Sequence, residues 1–311
     1  MDDMSPGTVL DKPVWYDPLM EPTWILPAER AGAQRLCFAA DVDPGADLAL
    51  SLGLPLYLAE AIRMTTDAVT SSFTRGFQAG TDESAAGEGW LALTRVSGVS
   101  AGRTLAVRVQ DPAGAVVAEL ERTGLDDAGL TATLAEFPRL LAQELRGPGV
   151  SGVWAPMYVP PSPALALSSV LAQHMCLTLR NPSTHPGPGT DNDERLSRRS
   201  GVKGALTALG DLATRSSQLF PALLFFGAVA ATRSANDDVY QELRQTVAAL
   251  TMRATNPSDP LNRMSVLLFR FFDEQGTADS REKAALAAGD DALKQWLLKV
   301  RQLRWERGSG A

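Results

Sequence analysis

Four basic side chains, Arg195, Arg198, Arg199 and Lys203, follow directly on the acidic residues Asp191, Asp193 and Glu194. Where a flexible loop gives way to a helix, such side chains and the helix's free N–H groups together receive a phosphate. The competing reading is a solvated cluster that balances its acidic neighbours. A second basic set lies in DDALKQWLLKVRQLRWERG, where Leu293, Trp296, Leu297, Val300 and Leu303 form an apolar stripe and Lys299, Arg301, Arg304 and Arg307 lie off it. The helix dipole favours cations at a C-terminus without any ligand. The stripe, with Trp296, Leu297, Val300, Arg301 and Arg304, is also of the kind that docks on another chain or touches a phosphate backbone.

Nucleophile chemistry is poorly supplied. The chain has 2 histidines, His174 and His185, and 2 cysteines, Cys37 and Cys176. His174 and Cys176 stand two apart, a spacing that sends them to different faces of a helix and argues against a shared metal. Glu119 and Glu121 share a strand face, as acid/base chemistry requires, but no third polar group accompanies them. Nucleotide-binding glycine loops, a nucleophile elbow and zinc-protease motifs are missing from the sequence. The expectation is a non-catalytic chain with no cofactor and no metal.

Composition sets wider bounds. With 29 basic and 36 acidic residues the formal charge is −7, which excludes a surface built as a whole to coat nucleic acid and leaves room for a local basic patch. The 45% hydrophobic and 21% charged fractions are those of a globular protein, and 311 residues favour two domains. The cysteine spacing suggests neither a disulfide framework nor a zinc site and fits a reduced, cytoplasmic setting, with a Cys37–Cys176 bridge left open. Acidic residues open the chain where an export signal needs basic ones. The longest apolar run, LFPALLFFGAVAA from Leu219, falls short of the roughly 20 residues that a bilayer needs and reads as a buried helix, not a transmembrane segment.

The elements that must position these residues follow from periodicity. Residues 1–34 hold five prolines and the aromatics Trp15, Tyr16 and Trp24, and read as an arm that packs on a domain. RLCFAADV reads as a strand. A helix follows, with Leu54, Leu58, Ile62, Thr65 and Val69 at helical spacing and Pro55 in its first turn. Residues 71–78 suit a second strand. Three more strands follow over 90–96, 104–111 and 116–123, the middle one alternating Leu105, Val107 and Val109 against Ala106, Arg108 and Gln110. Asp111, Pro112, Ala113 and Gly114 carry tight-turn chemistry, and Val116, Ala118 and Leu120 are expected on the dry face of the returning strand. Leu130, Leu134, Phe137, Leu141 and Leu145 make a helical stripe that Gly147 ends, with Thr133 and Glu136 as a capping-box option and Pro138 inside.

The order of strand, helix, strand, meander and helix, carried by RTLAVRVQDPAGAVVAELERTG and LTATLAEFPRLLAQEL, resembles the amino-terminal α/β domain of TolB and its cytoplasmic relatives. The resemblance covers residues 35–147. It departs from the family pattern at 79–89, too polar and short for the second helix expected there. What it implies is an accessory, non-catalytic domain of the kind that accompanies bacterial adenylate-cyclase-like and helical-repeat regulators, with no site residue to carry over.

Five prolines between 148 and 163 mark a boundary. Beyond it helices are expected over 164–180, 202–217, 219–232, 236–254, 260–275 and 290–305, with a mobile loop near 181–194 and Pro260 as a helix start. The sequence thus predicts an α+β chain: a small mixed sheet with helices on one face over 35–147, then an all-α bundle or short solenoid over 148–311. The function it favours is regulation or scaffolding through a protein partner or a homodimer. The alternative is a nucleic-acid-binding accessory factor using residues 195–203 and the C-terminal helix. A third is an enzyme with an unrecognised site in a crevice between the domains.

Overall fold

The computed structural model describes residues 8–77, 87–99, 102–146, 150–152, 158–180, 192–232, 237–272, 274–288 and 291–302, with the side chains of 192–199, 237–241 and 288 outside that description. The chain divides into two compact units, and each receives two stretches of sequence: Met1–Val14 with Pro27–Thr178, and Trp15–Leu26 with Leu179–Ala311. The division differs from the one expected. The aromatic part of the arm belongs to the helical unit, and almost all of the helix after the proline-rich stretch belongs to the sheet unit.

The sheet unit contains β1 (Val9–Leu10), β2 (Arg35–Val42), α1 (Leu48–Thr65), β3 (Val69–Gly76), β4 (Trp90–Ser97), β5 (Arg103–Gln110), β6 (Val116–Leu125) and α2 (Asp127–Arg146). Its last helix, α3 (Pro163–Arg180), runs two residues past the division. The six strands lie in the order β1-β3-β2-β4-β5-β6. β2 pairs in parallel with both β3 and β4, while β4, β5 and β6 form an antiparallel meander and β1 adds an antiparallel edge. This is the mixed sheet that the sequence pattern predicts.

One face of the sheet forms the main core. Leu36, Phe38, Ala92, Leu105, Val107 and Val109 meet Leu54, Leu58 and Ile62 of α1, the whole α2 stripe, and Ala166 and Val170 of α3. Gly53 lets α1 and α3 approach: a Cβ there would lie 2.3 Å from the Val170 carbonyl oxygen. That contact assigns α3 to the sheet unit, a placement that no local pattern in α3 encodes.

Local chemistry explains most boundaries. In the β5–β6 turn Asp111 Oδ1 accepts from the N–H groups of Ala113 and Ala115, both at 2.9 Å, and Gly114 takes φ 82°. A bulge follows, since Val109 pairs with Ala118 but Gln110 pairs with Val116. The extra residue turns Val116 outward and Val117 toward the core, correcting the expected inward Val116. α1 starts six residues before Leu54, because the Asp47 side chain accepts from Leu50 N–H at 3.1 Å; Pro55 therefore lies inside the helix, not in its first turn. Asp126 starts α2 in the same way, accepting from Gly129 N–H at 2.7 Å, so the Thr133/Glu136 capping box is not used.

The helical unit contains α4 (Asn192–Arg215), α5 (Leu219–Thr232), α6 (Asp237–Met252), α7 (Pro260–Phe271), α8 (Gln275–Ala288) and α9 (Asp291–Gln302). α5 is apolar all round and buried nearly all round, from Phe220 to Val229, as a core helix must be. Asp259 caps α7 with Pro260 at its start, as expected. α8 was not expected. It buries Ala278, Glu282 and Ala285, a stripe without large apolar residues that hydrophobic periodicity misses. α4 begins at Asn192, so it takes in the end of the segment expected as a loop over 181–194, whose other residues lie outside the described ones. Among the described residues one helix, α1, has the length and composition to cross a membrane, and 83% of it is buried inside the protein.

Candidate functional site

The sheet face turned away from the main core is built from strands. Cys37, Ala39 and Phe73 form a small buried cluster with the half-buried Val9, Phe77, Leu91 and Leu93, and Phe77 meets Phe73 edge to face at 5.8 Å. Alternation puts these side chains here, since Leu36 and Phe38 on the same strand point to the helices. Ion pairs flank the cluster. Arg95 lies 3.5 Å from Asp43, and Arg108 bonds Glu119, its partner in register, at 2.9 Å. Glu119 is therefore spent on a cross-strand pair and Glu121 is exposed opposite Ala106.

A second constellation surrounds Arg63, near the end of α1. Its guanidinium donates to the carbonyls of Asp11 (3.2 Å) and Thr70 (3.1 Å) and to Glu29 Oε1 (2.5 Å), and Glu29 also binds Lys12. The Lys12 hydrogen bond leads the effects that hold the Glu29 carboxyl below its ordinary pKa, with Arg63 adding to it against burial. The adjoining cleft, lined by Arg30, Thr66 and Asp67, has room for roughly one water. This arrangement ties backbone together and does not converge on a substrate-sized space.

Of the four basic residues first singled out, Arg195, Arg198 and Arg199 lie in α4, with side chains outside the described ones. Because α4 begins at Asn192, Arg198, Arg199 and Lys203 stand beyond its first turn. Lys203 pairs with Glu242 of α6. The pair lines an open groove with Thr207, Asp211, Leu243 and Thr246.

The last helix has a different outcome from the expected docking role. Leu293, Trp296, Leu297 and Val300 are all at most 1% exposed. Trp296 donates from Nε1 to the Leu19 carbonyl at 2.9 Å and stands edge-on to Trp24 at 5.7 Å. Lys299 binds Glu21 at 2.8 Å and Arg301 binds Glu282. Arg304 lies outside the described residues. Trp296, at the centre of the stripe, packs against residues 15–26 of the same unit, a long-range pairing with no local signal.

That covering segment is itself unusual. Trp15, Leu19 and Ile25 are buried; Trp15 packs on Phe220 at 6.1 Å, and a Cβ on Gly227 would come within 2.8 Å of it. A helical turn ends in a Schellman closure, Glu21 N–H to Tyr16 O and Met20 N–H to Asp17 O, at 3.0 and 2.9 Å. Met20 and Glu21 take φ 63° and 55°, the left-handed region that favours glycine.

Burial shifts several other titratable groups. Burial pushes the Tyr57 and Tyr158 phenols up, with Glu60 acting on both, and Tyr57 donates to the Leu134 carbonyl at 3.2 Å. Burial also raises the Cys37 thiol and lowers His174, against a pull from Asp47. Cys37 and Cys176 are separate buried thiols, and His185 lies outside the described residues. Among the described residues no three His, Cys, Asp or Glu side chains stand where they could share a metal. Comparison with protein-family models, with curated proteins and with solved structures found no match to this chain.

Proposed function

We propose that the chain is a non-catalytic, cytoplasmic regulatory or scaffolding protein that works by binding another protein through the strand-built face of its sheet unit. The observation that carries this reading is the apolar cluster around Leu91 and Leu93, flanked by the Arg95–Asp43 and Arg108–Glu119 pairs. An apolar centre inside a polar rim is the anatomy of a protein interface. The charged groups around Arg63 support the same reading, because they are spent on backbone carbonyls and on one another. The TolB-like accessory role belongs to this proposal.

The test is retention of a protein from the native host by the full chain and by two variants. Leu93→Asp, checked for an unchanged unfolding midpoint, is expected to reduce retention at least tenfold, and the Arg198→Glu/Arg199→Glu double variant to leave it unchanged. The opposite pattern, with salt-sensitive retention of nucleic acid, would transfer the function to α4.

A further inference from the structure

We propose that the seat of residues 15–26 on the helical unit is a peptide-docking site, occupied by the chain's own segment until an acidic, aromatic-bearing segment of a partner takes its place. The resident segment displays the chemistry that the seat accepts. Its floor is apolar: Phe220 and Gly227 of α5 receive Trp15, and Trp296 of α9 receives Trp24. Its rim is basic, since Arg180 binds Asp17 at 2.8 Å, Lys299 binds Glu21 at 2.8 Å, and the Arg263 guanidinium lies over the Trp24 ring at 5.9 Å. One directional bond, Trp296 Nε1 to the Leu19 carbonyl, reads backbone and not side chain, so a foreign segment can replace it.

Three features mark the resident as displaceable. Consecutive Met20 and Glu21 hold left-handed backbone, which the surrounding contacts maintain at a cost. The buried indole N–H of Trp24 has no acceptor among the described residues, a cost of the resident's seating that is relieved when it leaves. Asp17 and Glu21 are exposed, so their ion pairs open to solvent without a desolvation barrier. This site lies in the helical unit and is independent of the sheet face proposed above.

The test uses a fluorescent peptide of residues 13–28 titrated against the full chain. Wild type, whose own segment competes at high effective concentration, is expected to bind it weakly, and the Trp24→Ala/Glu21→Ala chain at least tenfold more tightly. Lys299→Glu in that background is expected to weaken binding at least fivefold, and a peptide with Asp17 and Glu21 replaced by lysine to lose it. Hydrogen exchange on the wild-type chain gives a second measurement. The amides of Leu19, Met20 and Glu21 are expected to exchange faster than those of the α5 core by at least tenfold. No saturable binding to the weakened chain, equal binding by a scrambled peptide, or exchange of those three amides together with α5 would each overturn the proposal.

Discussion

Arg63 and Arg270 both sit on helices with side chains at most 11% exposed, yet their terminal nitrogens are paired in opposite ways. Arg63 in the sheet unit donates to two backbone carbonyls, of Asp11 and Thr70, and to one carboxylate. Arg270 in the helical unit donates to side chains: Gln275 and Asp279 at 3.0 Å and Glu282 at 2.5 Å. Helices spend their carbonyls internally, whereas a short edge strand such as β1 leaves carbonyls open beside it. A buried cation among helices must therefore find an anion. Two neutral donors of the helical unit follow the same rule. Asn262 and Trp296 donate to Ala254 and Leu19, whose carbonyls lie outside helices. Tyr57 donates to Leu134 inside α2, where Pro138, four residues on, has no N–H to claim that carbonyl.

The sharpest way to break this contrast is to remove the carboxylate from each arginine. Glu282→Ala leaves Arg270 shut in with only Gln275 and the exposed Asp279, and is expected to cost about 3 kcal/mol in urea unfolding. Next comes the proline-freed carbonyl. Tyr57→Phe is expected to cost about 1.5 kcal/mol, and Pro138→Ala to cost less in that background than in wild type, because it restores an N–H for Leu134. Met20→Gly relieves left-handed strain and is expected to raise stability by about 1 kcal/mol; Glu21→Ala would give no such gain.

The smallest effect is expected at Glu29, because Arg63 keeps its two carbonyls when that carboxylate goes. Glu29→Gln should cost under about 1 kcal/mol at neutral pH. Its pKa in the folded chain lies below the ordinary glutamate value, so the stabilisation is present above the unfolded value and disappears as pH falls through the folded one. Wild type and variant are therefore expected to converge in acid, as urea midpoints from pH 7 down to about 2.5 would report. A gap that widened in acid would contradict the sign.

Much of the sheet unit was legible because its signals are local. Leu105, Val107 and Val109 announce a half-dry strand, and Asp111 with Gly114 announces the turn, within a few residues of each other. The bulge at Val116 was not legible, since an alternating pattern does not record where pairing slips by one. α8 stayed hidden because its buried stripe is alanine and glutamate. Of the candidate sites, the C-terminal stripe was found as a stripe, with docking on another chain as one of its readings, while the segment that packs on its Trp296 was read only as an arm.

The sequence by itself determined periodicity, caps and turns: strand alternation, the α2 stripe, the Asp259–Pro260 start of α7, and the all-round apolarity of α5. Each is a relation among neighbours, enforced by backbone geometry and hydrogen bonding within one or two turns. Only the tertiary structure decided that Tyr57 answers the Leu134 carbonyl freed by Pro138, across 77 positions, and that Trp296 bonds Leu19 across 277. Such pairs are chosen by which surfaces can be buried together with their polar groups satisfied, and that choice leaves no mark at either end of the chain.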